Sequence, residues 1–217
     1  MDEQRENLQP EQNEAAAQDA KKTERGWESL AFLHDMVYLL AIVTILFTFF
    51  FRLVAVDGSS MYPTLVDKDY LVLESNFLYR NVKQGDIVVL KVDYFDKPIV
   101  KRVIATGGQT VDIDFEQGIV YVDGAALDED YVNEPTHKSY LEYGMGLDYP
   151  VEVPEGSVFV MGDNRNESAD SRFTPVGCVP DSQISGRVLL IVVPGSQTDK
   201  QGNITGGRVW RRIGAVA

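Results

Sequence analysis

The feature that most constrains this chain is an apolar run over residues 36–51, interrupted only by Tyr38, Thr44 and Thr48. A helix there spans about 24 Å, slightly short of a hydrocarbon core of roughly 30 Å. Extension to Val56 closes the gap if Arg52 snorkels its charge to the interface. A buried helix of a soluble protein would normally show polar positions along one face, and this run shows no such face. A cleavable secretory leader fits less well. Its apolar part is usually shorter and ends in small residues, whereas Val54-Ala55-Val56-Asp57 offers no clear cleavage point. The run reads as a single-pass signal anchor over residues 31–56. Lys21, Lys22 and Arg25 precede it against Arg52 just after it, so the N-terminus is expected in the cytoplasm and the bulk of the chain outside the cell membrane.

Residues 1–30 are polar, rich in Glu, Gln, Ala and Lys, and have little to bury against a core. Beyond the anchor the texture changes to short apolar segments of β character: 70–73, 86–92, 99–104, 110–113, 119–122, 157–161 and 187–193. Turn signals such as Gln84-Gly85, Gly107-Gly108, Asp123-Gly124 and Pro154-Glu155-Gly156 separate them. No long helical period follows. A mainly β domain is expected over 57–193, with a less regular insert at 107–153 and a loose, polar, Gly-rich tail at 194–217.

Charge and cysteine usage exclude several classes. Net charge is −13, with 33 acidic and 20 basic residues, the wrong balance for a nucleic-acid partner. The one cysteine, Cys178, rules out an internal disulfide or a multi-cysteine zinc site. It sits in Pro175-Val176-Gly177-Cys178-Val179-Pro180, where a small packing residue is the plainer reading than a nucleophile.

A hydrolytic site needs a nucleophile, a base and donors for the oxyanion. Two histidines are present, His34 beside the anchor and His137 in the insert, so a Ser-His-Asp triad and a histidine metal site are both poorly supported. Lysine is the alternative base. Alternation along 99–104 puts Lys101, Val103 and Ala105 on one face and Arg102 and Ile104 on the other, which turns one of the two cations inward. A buried lysine loses solvation, its pKa falls, and the neutral amine becomes a base. Taken alone, the segment fits an edge strand with both cations in water at least as well.

Two further segments weigh on that choice. Gly58-Ser59-Ser60-Met61-Tyr62-Pro63-Thr64-Leu65 is suited to a tight bend that presents a serine Oγ and leaves amides free for an oxyanion, although serine-rich turns are common as plain structure. Gly162-Asp163-Asn164-Arg165-Asn166-Glu167-Ser168-Ala169-Asp170-Ser171-Arg172 is dense in hydrogen-bonding groups. It reads either as a solvated turn or as a buried polar network.

Together these segments resemble the signature boxes of bacterial type I signal peptidases, the leader peptidases with a Ser–Lys dyad: Ser-Met-x-Pro-Thr-Leu, then Lys-Arg, then Gly-Asp-Asn-Arg-x-x-Ser-x-Asp-Ser-Arg. The resemblance covers about residues 30–193 and agrees with the single anchor. It implies a signal-peptidase-like β core with an inserted smaller β subdomain. It implies Ser60 as nucleophile, Lys101 as general base, and Ser168 as the hydroxyl that orients the amine. The Ser60 amide would serve the oxyanion. Many family members carry a serine where Gly58 stands, so a second donor would come from backbone. Asp163, Asp170, Arg102 and Arg172 match ion-pairing positions beside the site. Val56, Met61, Leu65, Ile99 and Val100 match the lining of shallow substrate pockets, though each is equally suited to plain core packing. Asn166 and Glu167 depart from the commonest form of the third box. The implied substrates are translocated preproteins with small residues at the first and third positions before the cut. The lipid bilayer and, as a candidate, the secretion translocon are the other partners implied, with no metal or cofactor.

Two other readings are less economical. A soluble self-cleaving repressor with a Ser–Lys dyad would need a DNA-binding domain where this chain has its apolar run. An anchored β module without activity would have lost Ser60 or Lys101, and both are present.

Overall fold

The apolar run is helical in the computed structural model of the chain, which describes Trp27 and residues 30–216. Most of the polar stretch 1–30 therefore lies outside the described residues. Helix α1 (Leu30–Phe50) ends in a π-helical turn, Leu46–Phe50. Its 21 residues rise about 32 Å, long and apolar enough to cross a membrane. Leu33, Leu39, Ile42 and Phe49 are all exposed on it. Thr44 donates its hydroxyl to the Leu40 carbonyl at 2.7 Å, which satisfies that hydroxyl within the helix. The helix differs from the sequence reading at its C-terminal end, where it stops at Phe50 and does not extend to Val56. Residues Phe51–Ala55 form a strand instead, paired along one edge by a ladder in which Arg52 opposes Leu73.

The second unit is built of strands, all paired antiparallel. They are β1 (Phe51–Ala55), β2 (Tyr70–Ser75), β3 (Ile87–Leu90), β4 (Ile99–Thr106), β5 (Thr110–Asp114), β6 (Ile119–Val122) and β7 (Ala125–Ala126). There follow β8 (Val151–Glu152), β9 (Ser157–Met161), β10 (Val179–Pro180), β11 (Ile184–Val193), β12 (Ser196–Thr198), β13 (Ile204–Arg208) and β14 (Gly214–Ala215). The main sheet runs β1-β2-β11-β3-β4-β9-β10. The long strand β11 pairs with β2 along one edge and divides its other edge between β3 and β14. A smaller sheet, β7-β6-β5-β8, leaves the main sheet after β4 and returns to it at β9, which pairs directly with β4.

Burial follows the two-residue period of the strands. In β9, Val158 and Val160 enter one apolar cluster with Val88, Leu90 and Val103, while Phe159 and Met161 face another. That second cluster takes Val111, Ile113, Val120 and Val122 from the smaller sheet, so β9 is covered on both faces. Strand β3 is buried throughout for the same reason, with Ile87 and Val89 in a third cluster beside Met61, Leu65 and Leu71.

Three expectations are corrected here. Strict alternation in β4 fails because the β4–β9 register shifts between Val103 and Ala105, so Ile104 and Ala105 both join the cluster of the smaller sheet. Lys101 and Arg102 are both buried, not one of them, since the Arg102 face is covered by protein rather than water. Nor is the described part of the expected 194–217 tail, residues 194–216, loose. Strands β12 and β13 pair with each other and β14 joins the main sheet through Leu190 and Ile191, because polar, Gly-rich sequence can still satisfy a ladder.

Phe159 is fully buried between the two sheets. Phe159→Ala is expected to cost about 3–5 kcal/mol of unfolding free energy in a denaturant titration of the full chain in detergent micelles.

Candidate active site

Between β1 and β2 the chain makes a loop whose ends are tied together. Val56 N–H donates to the Asp69 carbonyl at 2.8 Å, and Lys68 N–H donates to the Val56 carbonyl at 2.9 Å. Ser60 lies in this loop, half-buried, within a tight bend closed by Tyr62 N–H and the Ser59 carbonyl at 3.0 Å. Lys101 reaches it from β4. Its Nζ donates to Ser60 Oγ at 2.7 Å and to the Val100 carbonyl at 3.0 Å. The lysine is 3% exposed. Loss of solvation pulls its pKa from 10.5 down to about 8, a fall partly offset by the negative charges of Asp170 and Asp163. The amine is thus a base held against a hydroxyl.

The third segment is a buried polar network. Asp163 receives Arg102 through Nε at 2.9 Å and Nη2 at 2.8 Å, and also the Thr64 hydroxyl at 2.5 Å. Arg102 lies over the Tyr131 ring and donates to the Gly85 carbonyl at 3.0 Å. Asp170 receives Arg172 in the same two-point manner, each bond 2.9 Å, and takes the Gly162 amide at 3.0 Å. Bidentate pairing and extra donors are what make ion pairs tolerable out of water. The pairs fix backbone. Thr64 belongs to the Ser60 loop, and Asn164 donates its N–H to the Ser60 carbonyl at 3.1 Å and its Nδ2 to the Ser59 carbonyl at 3.0 Å.

Val56, Asp57, Ser60, Met61, Ile99, Val100 and Lys101 line a groove of about 360 Å³ that also takes in Val54, Ala55 and Lys97. The structure thus brings together Ser60, Lys101 and four of the five proposed lining residues. Leu65 is the exception. It is fully buried beneath the groove with Met61 and Ile87, where packing is its task.

Ser168 and Gly58 depart from what the resemblance implies. Ser168 is buried, and its carbonyl accepts the Tyr140 hydroxyl, but its Oγ has no hydrogen-bond partner, while the second bond of Lys101 goes to Val100. The Gly58 amide is engaged by Asp67 Oδ1 at 2.9 Å and is not free for an oxyanion. Among the described residues the Ser60 amide donates to no protein acceptor. No three Asp, Glu, His or Cys groups converge on a metal-binding arrangement among those residues. His137 is bonded through Nδ1 to the Phe115 carbonyl.

Sequence reasoning quoted Gly162, Asn164, Arg165 and Thr64 without giving them roles, and passed over Glu129 and Tyr131. Glu129 holds Arg165 through both its oxygens, at 2.8 and 2.5 Å. An arginine amid a dense polar loop was the available signal for Arg165. Its partners from the insert carried none, because such pairing is long-range. Gly162 is required by close approach: a Cβ there would lie 2.3 Å from both the Ser60 carbonyl oxygen and Ser168 Oγ.

A family model described as signal peptidase, peptidase S26, matches residues 29–193. A probable signal peptidase I-1 of Synechocystis is 39% identical over 159 residues, which is 69% of this chain and 75% of that protein. A signal peptidase I of Bacillus amyloliquefaciens is 34% identical over 163 residues, 73% of this chain and 82% of its own. A solved signal peptidase I from Enterococcus faecalis, 28% identical, covers 50% of this chain and 97% of its own at a TM-score of 0.40, too low to bear on the fold.

Two tests follow from the geometry. Gly162→Ala must push the Ser60 backbone or Ser168 aside, so hydrolytic activity is expected to fall about a hundredfold while the chain stays folded, read by initial rates and circular dichroism. Lys101 has a native pKa below its unfolded value, so its burial costs stability below pH about 8 and the cost fades as pH rises toward 10.5. Lys101→Met is therefore expected to raise the thermal midpoint at pH 7, with the gain shrinking between pH 8 and 10.5.

Proposed function

Because the chain belongs to the signal peptidase family, peptidase S26, we propose that it is a membrane-bound serine endopeptidase that removes N-terminal signal peptides from translocated preproteins. Ser60 is the nucleophile and Lys101 the general base. The observation that carries this reading is the 2.7 Å contact between Ser60 Oγ and a lysine amine stripped of water. At pH 7 a pKa of about 8 leaves roughly a tenth of the amine neutral. In that form the contact reverses, the hydroxyl donating to Nζ.

Lys101 takes the Ser60 proton as Oγ attacks the scissile carbonyl. The Ser60 amide, free of protein acceptors, meets the developing oxyanion. The C–N bond breaks, the Lys101 proton passes to the leaving amine, and the signal peptide remains as a Ser60 ester. Lys101 then takes a proton from water, whose oxygen attacks the ester and releases Ser60. The unpaired Ser168 hydroxyl is suited to hold the amine once Oγ is acylated. Arg102, Asp163, Asp170 and Arg172 act through backbone position.

The groove supports an extended substrate. Strand β1 ends the path of the main sheet, and Ile99, Val100 and Lys101 pair with β3 on one side while the β9 pairing starts only at Arg102. A peptide laid between these edges finds backbone partners on each. Val56, Met61, Ile99 and Val100 then bound shallow apolar pockets suited to small side chains at the first and third positions before the cut. The protease domain is built on 57–193, carries 107–153 as a subdomain, and takes β1 and β14 into its main sheet. Helix α1 anchors it in the lipid bilayer of the cell membrane with the N-terminus cytoplasmic and the site outside, where the secretion translocon delivers substrate.

Cleavage of a model preprotein in detergent micelles tests the reading, with wild type, Ser60→Ala and Lys101→Ala compared and the products sequenced. Wild type should cut after a small residue, both variants should be folded and inactive, and the kcat/KM profile should rise through pH about 8. Full activity in either variant would sink the mechanism.

A further inference from the structure

The segment after β11 lies beyond the family match, which stops at residue 193, yet it is bonded to the Ser60 loop at Asp69 and Thr64 and reaches Ser59 through Asn164. We propose that residues 194–216 brace the Ser60 loop and that Arg212 is the residue through which the brace positions the nucleophile. The inference rests on Ser60 acting as nucleophile.

The junction is Asp69, a fully buried carboxylate at the base of the loop. Four donors converge on it. Val66 N–H, from the loop itself, is at 2.8 Å and Gly195 N–H at 2.6 Å. Arg212 supplies the other two, Nη1 at 2.9 Å and Nη2 at 2.8 Å. Three of the four thus come from the C-terminal segment, and only Arg212 brings positive charge. Its Nη2 also donates to the Thr64 carbonyl at 2.9 Å. Thr64 is therefore held from two sides, its carbonyl by Arg212 and its hydroxyl by Asp163.

Contact recurs beside the nucleophile. Asn164 Nδ2 donates at once to the Ser59 carbonyl at 3.0 Å and to the Lys200 carbonyl at 2.7 Å, so one amide group couples the Ser60 bend to the turn between β12 and β13. Gly202, in that turn, faces Ser59 Cβ across 3.5 Å measured from where its own Cβ would stand. At the root of the segment, Gly195 approaches so closely that a Cβ would lie 2.0 Å from the Asp67 carbonyl oxygen. The segment is fastened to the main sheet before Gly195 by β11 and after Arg212 by β14. It is a strap fixed at two points on the sheet with the Ser60 loop beneath it.

Removing Arg212 leaves Asp69 buried with amide donors alone. A buried carboxylate that loses its cation draws water or moves toward it, and here either response shifts the loop on which Ser60 stands. Lysine keeps the charge but cannot make the two-point contact and reach Thr64 as well.

The full chain in detergent micelles is compared as wild type, Arg212→Ala and Arg212→Lys. Three readouts are used: steady-state cleavage of a model preprotein, the rate of p-nitrophenolate release from a p-nitrophenyl ester, and amide hydrogen exchange of residues 57–68. For Arg212→Ala the expected result is a kcat lower by about tenfold or more with KM within about twofold. Ester reactivity should fall in parallel, and exchange in 57–68 should quicken while β4 and β9 stay protected. Arg212→Lys should be intermediate, and millimolar guanidinium should restore part of the lost rate to Arg212→Ala. If Arg212→Ala fails to fold, the same split between kcat and KM is required of Arg212→Lys. Unchanged loop exchange, or quickened exchange with undiminished ester reactivity, overturns the brace. Wild type that reacts with the ester but spares the preprotein overturns the preprotein reading and leaves the brace to be judged on the ester rate. Wild type inert to both removes Ser60 as nucleophile, and the brace falls with it.

Discussion

A lysine amine without water is the condition on which the site depends. Lys101, the proposed base, has its pKa lowered to about 8 because protein covers nearly all of it, and desolvation outweighs the pull of Asp163 and Asp170 toward the charged form. That cover has several sources. Strand β4 lies between β3 and β9, the Ser60 loop closes over the amine, and the network around Asp163 and Asp170 lies beside it. Any change that admits water to Lys101 returns it toward an ordinary ammonium and ends its use as a base.

Sealing one lysine requires other charges to be buried with it. Arg102, Arg165 and Arg172 are all out of water, each bonded at two points to a carboxylate. Ion pairs of this kind add little net stability, since desolvation consumes most of their attraction. Their yield is geometric: a guanidinium fork bonded to a carboxylate fixes two chain segments in angle as well as distance. Arg102 with Asp163 fixes β4 against the turn after β9, and Thr64 passes that constraint to the Ser60 loop. The Gly162 amide, bonded to Asp170, places the one residue that can pass between the Ser60 carbonyl and the Ser168 side chain.

The same organisation explains which parts of the chain the sequence disclosed. The anchor was legible because a lipid-facing helix must be apolar all round, and the strands were legible because they are short apolar segments bounded by turn residues. Ser60 and Lys101 stood out only when their segments were taken together with the third, since each alone has a plain structural use. The bulge in β4 was hidden, since a register shift depends on the partner strand. The end of α1 was misjudged at Phe50 because apolar residues suit a membrane helix and an edge strand alike. The C-terminal strands were missed because Gly-rich polar sequence resembles a tail until its backbone finds a partner.

What the sequence by itself determined is chemical identity and periodicity: one apolar helix, a β domain, a serine in a tight bend, a lysine in an apolar strand, and a loop dense in paired charges. Those properties reside in single residues and their neighbours along the chain. Only the tertiary structure decided that Lys101 meets Ser60 at 2.7 Å, that Ser168 Oγ is left unpaired, that Leu65 lies beneath the groove rather than in it, and that Arg212 reaches back to Asp69. Each of these joins residues far apart in the chain, and hydrogen-bond geometry and desolvation are set by what surrounds an atom in space, which composition and spacing do not encode.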